Sequence, residues 1–217
     1  MDPGAARTLT GVGRPKKPII SRQLVVDTAL AMIDSEGLRA ISLRRLAEKL
    51  GVNIGSLYHH YRYKDDILRD VLQHVLAPLD ASHGPVTDWR TYFLERSRTY
   101  FRLMVEHPNL AALMFTLLPR TFGFPVESQG AQILLDVGVP ARYVLVIREQ
   151  LESAVHGVLQ FSFDTALFDE VPAAYPVFAG VVAESRSVSP QERLDFAINA
   201  ILDGVERRLD GWRAGDA

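Results

Sequence analysis

The sequence predicts an all-α fold with a small N-terminal helical domain and a larger C-terminal helical domain. Apolar residues recur every three or four positions along most of the chain, which is the spacing of an amphipathic helix. Glycine and proline separate these segments, and no alternating pattern bounded by hairpin turns indicates a strand. With 217 residues, 47% of them hydrophobic, the chain is long enough to bury a core.

The first predicted helix begins after Ser21, a residue type that caps helix N-termini. Gly37 follows its last apolar residue, the position where glycine commonly ends a helix. Between them, four residues share one helical face: Val25, Ala29, Met32 and Ile33. This pattern predicts a helix packed on a core through one side.

Three shorter helices are predicted next, each beginning at a polar residue. They run from Ser42 to Gly51, from Asn53 to about Tyr61, and from Lys64 towards Ala77, where Pro78 interrupts. The candidate helices that follow span residues 89–105, 109–118, 128–137, 141–163, 173–184 and 190–212. The predicted division is a flexible basic arm at 1–18, an N-terminal domain at 19–77 and a C-terminal domain at 86–213.

Composition excludes several classes of protein. The chain has no cysteine, so it has no disulfide, thiolate metal site or cysteine nucleophile. It contains neither a long apolar stretch nor a signal-peptide core at Met1 to Leu9. We therefore expect a cytoplasmic protein that does not act at a membrane, and we expect no cofactor and no metal site.

Charge is distributed unevenly along the chain. Residues 14–75 contain 11 Lys and Arg against 7 Asp and Glu, whereas residues 76–217 contain 12 Arg against 18 Asp and Glu. A basic N-terminal third on an acidic body is typical of a protein that presents one end to a polyanion. Random scatter of surface charge is the alternative.

The most informative segment is 43–68, where Gly51-Val52-Asn53 separates two short amphipathic helices. In the second of them, Leu57 and Tyr61 lie four residues apart, so both are expected to pack inward. Serine, tyrosine and histidine then occupy the outward positions, and these side chains donate hydrogen bonds to phosphates or base edges. The spacing fits a DNA-reading helix-turn-helix. The alternative is an ordinary pair of packed helices with a polar face, and a metal pair at His59 and His60 is disfavoured because adjacent helical residues diverge.

Residues 21–72 closely resemble the DNA-binding region of the TetR family of bacterial transcriptional regulators. The matching motifs are Ile41-Ser42-Leu43-Arg44-Arg45-Leu46-Ala47, Leu50-Gly51-Val52, Gly55-Ser56-Leu57-Tyr58-His59-His60-Tyr61 and Lys64-Asp65-Asp66-Ile67-Leu68. The spacing of Tyr58, His60, Tyr61 and Lys64 matches the tail of the family pattern. Tyr63 departs from it, because Ser, Asn or Asp usually precedes the lysine.

The resemblance implies a repressor, not an enzyme, that a small apolar or aromatic ligand releases from a palindromic operator in double-stranded DNA. Candidate DNA contacts by position are Ser42, Arg44, Arg45, Gly55, Ser56, Tyr58, His59, His60 and Lys64. The arm at Arg14 to Lys17 could also lie along the DNA, or be a tail without contacts. A transcriptional activator or a broad DNA-binding protein of the same fold is the alternative function.

The C-terminal domain carries two long apolar stripes. One is Val144, Ile147, Leu151, Val155 and Val158, and the other is Leu194, Ile198, Ile201, Val205 and Leu209. Such stripes are usually intramolecular core. The resemblance favours pairing of these two helices with a second copy in a homodimer, which doubles the readout of a palindrome.

The resemblance also implies a pocket between the helices of the C-terminal domain. The candidate ligand-binding residues are Phe101, Met104, His107, Met114, Phe115, Arg148, Glu152 and His156. Glu152 and His156 are four residues apart, which suits a ligand, a metal or a plain ion pair. A small helical enzyme using Glu149, Glu152 and His156 is a further alternative, but no nucleophile-base pair or phosphate loop accompanies them.

Overall fold

The computed structural model describes residues 20–81, 88–114, 124–163, 168 and 170–215, and every regular element in these ranges is helical. The α-helices are α1 Arg22–Glu36, α2 Leu43–Leu50, α3 Ile54–Tyr58, α4 Lys64–Ala81, α5 Trp89–Glu106, α6 Ala111–Met114, α7 Phe124–Asp136, α8 Ala141–Phe163, α9 Pro176–Ser185 and α10 Pro190–Ala214. The predicted all-α fold is confirmed. The predicted arm at 1–18 and Phe115 lie outside the described residues.

Helices α1 to α4 form the N-terminal unit, in which α1 packs on α4 and on α2, and α2 packs on α3. The ends of these helices are set by capping residues. The Ser21 hydroxyl accepts a hydrogen bond from the Leu24 amide, and the Ser42 hydroxyl accepts one from the Arg45 amide. Gly51 ends α2 with a φ of 66°, a left-handed conformation that glycine adopts without strain. The predicted caps and the glycine turn are confirmed.

Helix α4 continues past Pro78, so the predicted interruption there is wrong. Proline removes only the amide that would bond to the carbonyl of His74, near the C-terminal end of the helix. Leu79, one residue further, is buried in the core and holds the last turn in place. At the other end, the Asp66 carboxylate accepts a hydrogen bond from the Tyr63 amide at 3.1 Å, which starts the helix without the usual polar cap residue.

The C-terminal body packs α5, α8 and α10 against one another, and α4 packs on α5 to join the two parts. The two apolar stripes lie in this core, with Leu194 and Ile198 fully buried on α10 and Val155 nearly so on α8. The interpretation of these stripes as intramolecular core is therefore confirmed for most of their residues. Val158 and Ile201 are only partly buried, so the two helices keep apolar surface that a second copy can contact.

Three helix boundaries differ from the expectations. The segment predicted at 109–118 begins with a 3-10 turn at Pro108–Leu110, followed by α6. Helix α7 begins at Phe124, before the predicted start at residue 128. Helix α9 begins at Pro176, because proline suits the first turn of a helix, where its missing amide has no partner to lose. No helix within the described ranges is long and apolar enough to span a membrane.

Candidate functional site

Helix α3 is short and exposed, and one side chain anchors it. Leu57 is its single buried residue. Tyr58, the next residue, keeps 55% of its surface exposed, and the predicted contact residues Gly55, Ser56, His59 and His60 are also exposed. Leu57 faces inward and the serine, tyrosine and histidine side chains face outward, as the spacing of this segment predicts. The structure thus brings its polar and aromatic side chains to one open surface.

Tyr61, just beyond α3, connects this segment to α1 and α4. Its ring is buried, and its hydroxyl donates a hydrogen bond to Asp70 of α4 at 2.7 Å. Arg22 of α1 pairs with the same carboxylate at 3.2 Å and lies over the tyrosine ring. Burial, with the Asp70 hydrogen bond as the next cause, raises the pKa of Tyr61 to about 12. The segment after α3 is therefore held by both α1 and α4.

The three predicted cationic contacts have different surroundings. Arg44 is exposed and pairs with Glu48 one turn later at 3.1 Å. Arg45 instead turns back to α1, where its guanidinium lies 2.6 Å from the Glu36 carboxylate.

Among the described residues, Lys64 donates one hydrogen bond, at 3.1 Å, to the carbonyl of Leu38. An ammonium group has three N–H donors, so two remain for another acceptor.

A second cluster lies in the C-terminal body, where two helices present polar residues at four-residue spacing. Helix α5 carries Tyr92, Arg96 and Tyr100, and helix α8 carries Arg148, Glu152 and His156. Residues at this spacing share one face of a helix. We call these six residues together with Glu127 of α7 the polar cluster.

Charged pairs hold one part of the polar cluster. Arg148 lies between Glu127 and Glu152, at 2.8 Å and 3.0 Å. Arg96 reaches the other oxygen of Glu127 at 3.2 Å. The three helices α5, α7 and α8 are thereby joined through a single carboxylate.

Tyr100 and His156 form the other part of the polar cluster, with 2.9 Å between the hydroxyl oxygen and Nε2. Burial raises the pKa of Tyr100 and lowers the pKa of His156, and Glu152 opposes the second shift by a smaller amount. Around neutral pH both side chains are therefore uncharged. The pair supplies hydrogen-bonding groups without adding charge.

Because the pKa of His156 is lowered on folding, the unfolded chain binds a proton more readily below about pH 6.5. We expect the free energy of unfolding to fall between about pH 7.5 and about pH 5.5, and to fall less in a His156→Gln variant. Urea unfolding at the two pH values measures the difference. His59→Gln, at an exposed histidine, is the control. An equal pH dependence in wild type and His156→Gln would contradict the expectation.

Two buried atoms of the polar cluster have no hydrogen-bond partner in the described structure. They are the hydroxyl of Tyr92 and Nη1 of Arg96. Burial raises the pKa of the Tyr92 hydroxyl, so it remains protonated. Both atoms therefore present N–H or O–H donors without an acceptor.

The predicted ligand-binding residues divide between this cluster and other places. Arg148, Glu152 and His156 belong to the polar cluster, whereas Phe101 and Met104 are buried in the core. His107 instead pairs with Asp34 of α1 at 3.0 Å, at the junction with the N-terminal unit.

Met114 ends α6, but its side chain is outside the described part. Phe115 is not described at all. Sequence reasoning missed Tyr92, Arg96, Tyr100 and Glu127. The four-residue spacing of Tyr92, Arg96 and Tyr100 could have indicated that they share one face of a helix. Nothing in the sequence pointed to Glu127, because it joins the cluster from a different helix.

The outer faces of α8 and α10 border an open apolar groove. Its volume is about 780 Å³, and its lining includes Ala154, Gly157, Phe161, Val188, Arg193 and Phe196. Phe161 and Phe196 keep 67% and 79% of their surfaces exposed. Large exposed apolar side chains at one place are typical of an interaction surface.

The described residues contain no group of three or more His, Asp or Glu side chains that could hold a metal ion. Glu152 and His156 are held by Arg148 and Tyr100 respectively. The geometry of α2, the Gly51 turn and the exposed α3 instead defines a helix-turn-helix DNA-binding protein.

Comparison with known proteins identifies the family. The profile described as "Bacterial regulatory proteins, tetR family" matches residues 25–71. The chain is 32% identical over 220 residues to the HTH-type transcriptional repressor DrrR1 of Streptomyces coeruleorubidus, covering 89% of this chain and 80% of that one. The chain belongs to the TetR family of bacterial transcriptional regulators. It is a DNA-binding regulator, and membership of this family supports the prediction that it is not an enzyme.

Other relatives agree with this assignment. The Tetracycline repressor protein class E of Escherichia coli is 22% identical over 191 residues, covering 86% of this chain and 90% of that one. A regulator from Saccharopolyspora erythraea is 33% identical, but the match spans only 42% of its length. The crystal structure of the Streptomyces coelicolor protein ActR in complex with actinorhodin superimposes with a TM-score of 0.70 at 22% identity, covering 88% of this chain and 98% of that one. This structural likeness supports the fold.

Proposed function

We propose that the protein is a homodimeric repressor that binds a palindromic operator through α3 and leaves it when a small molecule binds the C-terminal body. The observation that carries the proposal is α3 itself, held by Leu57 with Tyr58 exposed beside it. Repression is supported by the relative DrrR1, which is named as a transcriptional repressor. We also propose that it works in the cytoplasm, where bacterial DNA lies.

The proposed DNA contacts fall into two groups. On α3 and just after it, Gly55, Ser56, Tyr58, His59 and His60 face the bases and the neighbouring backbone. Arg44 and Lys64 contact phosphates, since an exposed guanidinium and an ammonium with two remaining donors suit that role.

Two further proposed contacts also hold the protein together. Ser42 caps α2 and Arg45 pairs with Glu36, so both position the site as well as bordering the DNA.

Dimerisation is proposed to use the outer faces of α8 and α10. The exposed rings of Phe161 and Phe196 border an apolar groove that a second copy would cover. A single α3 spans too few base pairs for selective binding. A two-fold dimer places two such helices on the two halves of a palindrome.

Release by an effector needs a connection between the C-terminal body and α1. The end of α5 supplies one, because His107 pairs with Asp34 and the Asn109 side chain donates a hydrogen bond to the carbonyl of Ile33 at 2.9 Å. A ligand that shifts α5 would pull on α1 and change the separation of the two α3 helices.

The proposed effector is a small aromatic molecule bound near the polar cluster. Support comes from relatives: one is named a tetracycline repressor, and the neighbour ActR was crystallised with actinorhodin. We further propose an N-terminal arm at 1–18, a DNA-binding domain at 19–77 and an effector domain at 86–213, with α4 extending from the second towards the third.

The proposal is tested by a gel-shift titration on the DNA upstream of the gene. We expect a retarded band at low salt, and at least about fivefold weaker binding by Tyr58→Ala, since a lost base contact costs about 1–3 kcal/mol. Tyr175→Ala, which removes an exposed tyrosine near α9, is the matched control and should bind as wild type does. Failure of the wild-type protein to retard any palindromic fragment would contradict the proposal.

A further inference from the structure

Within the part of the chain that the structure describes, two groups of the polar cluster make no hydrogen bond, the Tyr92 hydroxyl and Arg96 Nη1. Buried polar groups in folded proteins are nearly always paired, because an unpaired group loses its hydration without compensation. Nη2 of the same Arg96 guanidinium is paired with Glu127 at 3.2 Å. Tyr92 and Arg96 lie four residues apart on α5, so the two unpaired groups share one face of that helix.

Both unpaired groups are donors, so an oxygen acceptor would satisfy them together. The charges of the polar cluster are already balanced, since Arg96 and Arg148 face Glu127 and Glu152. A carboxylate brought into this site would leave one buried negative charge in excess, which is unfavourable. An uncharged carbonyl oxygen accepts the same hydrogen bonds without that cost.

Two aromatic rings lie where α5 meets α7, one of them the ring that carries the Tyr92 hydroxyl. The rings of Tyr92 and Phe93 are in edge-to-face contact at 5.0 Å. Gly130 of α7 lies against both, with 3.6 Å from the position of a Cβ to the nearest atom of Phe93 and 3.9 Å to Tyr92. Because this glycine has no side chain, α7 approaches the rings closely. A flat aromatic molecule entering between α5 and α7 would meet these two rings.

We propose that the effector is an aromatic ketone or quinone whose carbonyl oxygen accepts hydrogen bonds from Arg96 Nη1 and the Tyr92 hydroxyl. This inference rests on the proposed function and specifies its ligand. Neither donor is exposed to solvent, so the carbonyl reaches them only when α5 and α7 move apart. That movement displaces the helix that ends at His107 and contacts α1. Binding of the carbonyl is thereby coupled to release of DNA through one movement of α5.

The experiment uses three matched tricyclic probes: 9-fluorenone, which has a carbonyl, fluorene, which lacks it, and fluorene-9-carboxylate, which is an anion. Isothermal titration calorimetry on the full chain measures their binding. We expect fluorenone to bind at least about tenfold more tightly than the other two, as a hydrogen bond from a charged donor implies. In Tyr92→Phe the preference over fluorene should shrink several-fold.

A second measurement separates recognition from a structural role. Because the Tyr92 hydroxyl has no partner, Tyr92→Phe should leave the urea midpoint unchanged or higher, whereas removal of a paired hydroxyl would lower it. Arg96→Met should abolish the fluorenone preference. Arg102→Met, at an exposed arginine on the same helix, should retain it.

Equal affinity for fluorenone and fluorene, including binding of neither, would overturn the inference. Tighter binding of the carboxylate than of fluorenone would overturn it as well, since the site would then select an anion. A fall in the urea midpoint of Tyr92→Phe would show that the hydroxyl is structural. Gel shifts on the same variants test operator binding separately from ligand recognition. If operator binding is intact but fluorenone is not preferred, only the proposed ligand chemistry is rejected.

Discussion

Phe196→Asp is expected to convert the protein to a monomer and to eliminate high-affinity operator binding. Phe196 keeps 79% of its surface exposed in the single chain, beside the apolar groove between α8 and α10. Two copies of an aspartate at a two-fold interface would bury two unpaired carboxylates, which costs several kcal/mol. Light scattering after gel filtration measures the mass, and a gel shift measures DNA binding.

The control for this substitution is Leu135→Asp. Leu135 is a half-exposed apolar residue on α7 and is not among the residues that line the groove. It should leave the dimer and DNA binding as they are in the wild-type protein. A dimeric Phe196→Asp with normal operator affinity would move the interface to another surface.

Leu57→Ala is expected to lower the free energy of unfolding by about 2–5 kcal/mol, the range for truncating a buried leucine. Leu57 has no exposed surface and is the only buried side chain of α3. A helix of five residues is unstable without such packing, so operator binding should be lost with it. Urea unfolding followed by circular dichroism gives the free energy.

Ile54→Ala provides the matched control on the same helix. Ile54 is also aliphatic, but it is exposed, so its truncation should change the free energy of unfolding by less than about 1 kcal/mol. Comparable losses for both variants would mean that Leu57 does not anchor α3. The difference between the two losses in free energy of unfolding measures how strongly Leu57 holds α3 in place.

The DNA-facing part was predictable from the sequence because its determinants are local. Ser42 and Asn53 begin helices, Gly51 turns the chain, and the four-residue spacing of Leu57 and Tyr61 orients α3. Each of these effects acts over a few residues, so the order of residues is sufficient to predict it. The family motifs lie in this same segment, which is why they could be recognised there.

The effector-facing part was predicted only in fragments. The spacing of Arg148, Glu152 and His156 was visible along α8, but the partners that hold Arg148 and His156 come from α5 and α7. Which helices meet is decided by packing of the whole body. The unpaired state of the Arg96 and Tyr92 donors exists only after that packing.

The sequence misled at one place and left two interpretations open at another. Pro78 was expected to end α4, yet the buried Leu79 holds the last turn against the core. The apolar stripes of α8 and α10 suited either intramolecular core or contact with a second copy, and most of their residues are buried within the chain. Periodicity identifies a buried face, but it does not say what buries it.

By itself, the sequence determined the helices, the turn between α2 and α3, and the family to which the chain belongs, because capping, periodicity and motif are properties of neighbouring residues. Only the tertiary structure decided which surface of α8 and α10 remains open and which donors of α5 remain unpaired. Those properties depend on contacts between helices far apart in the chain, whose arrangement is set by the packing of the entire core.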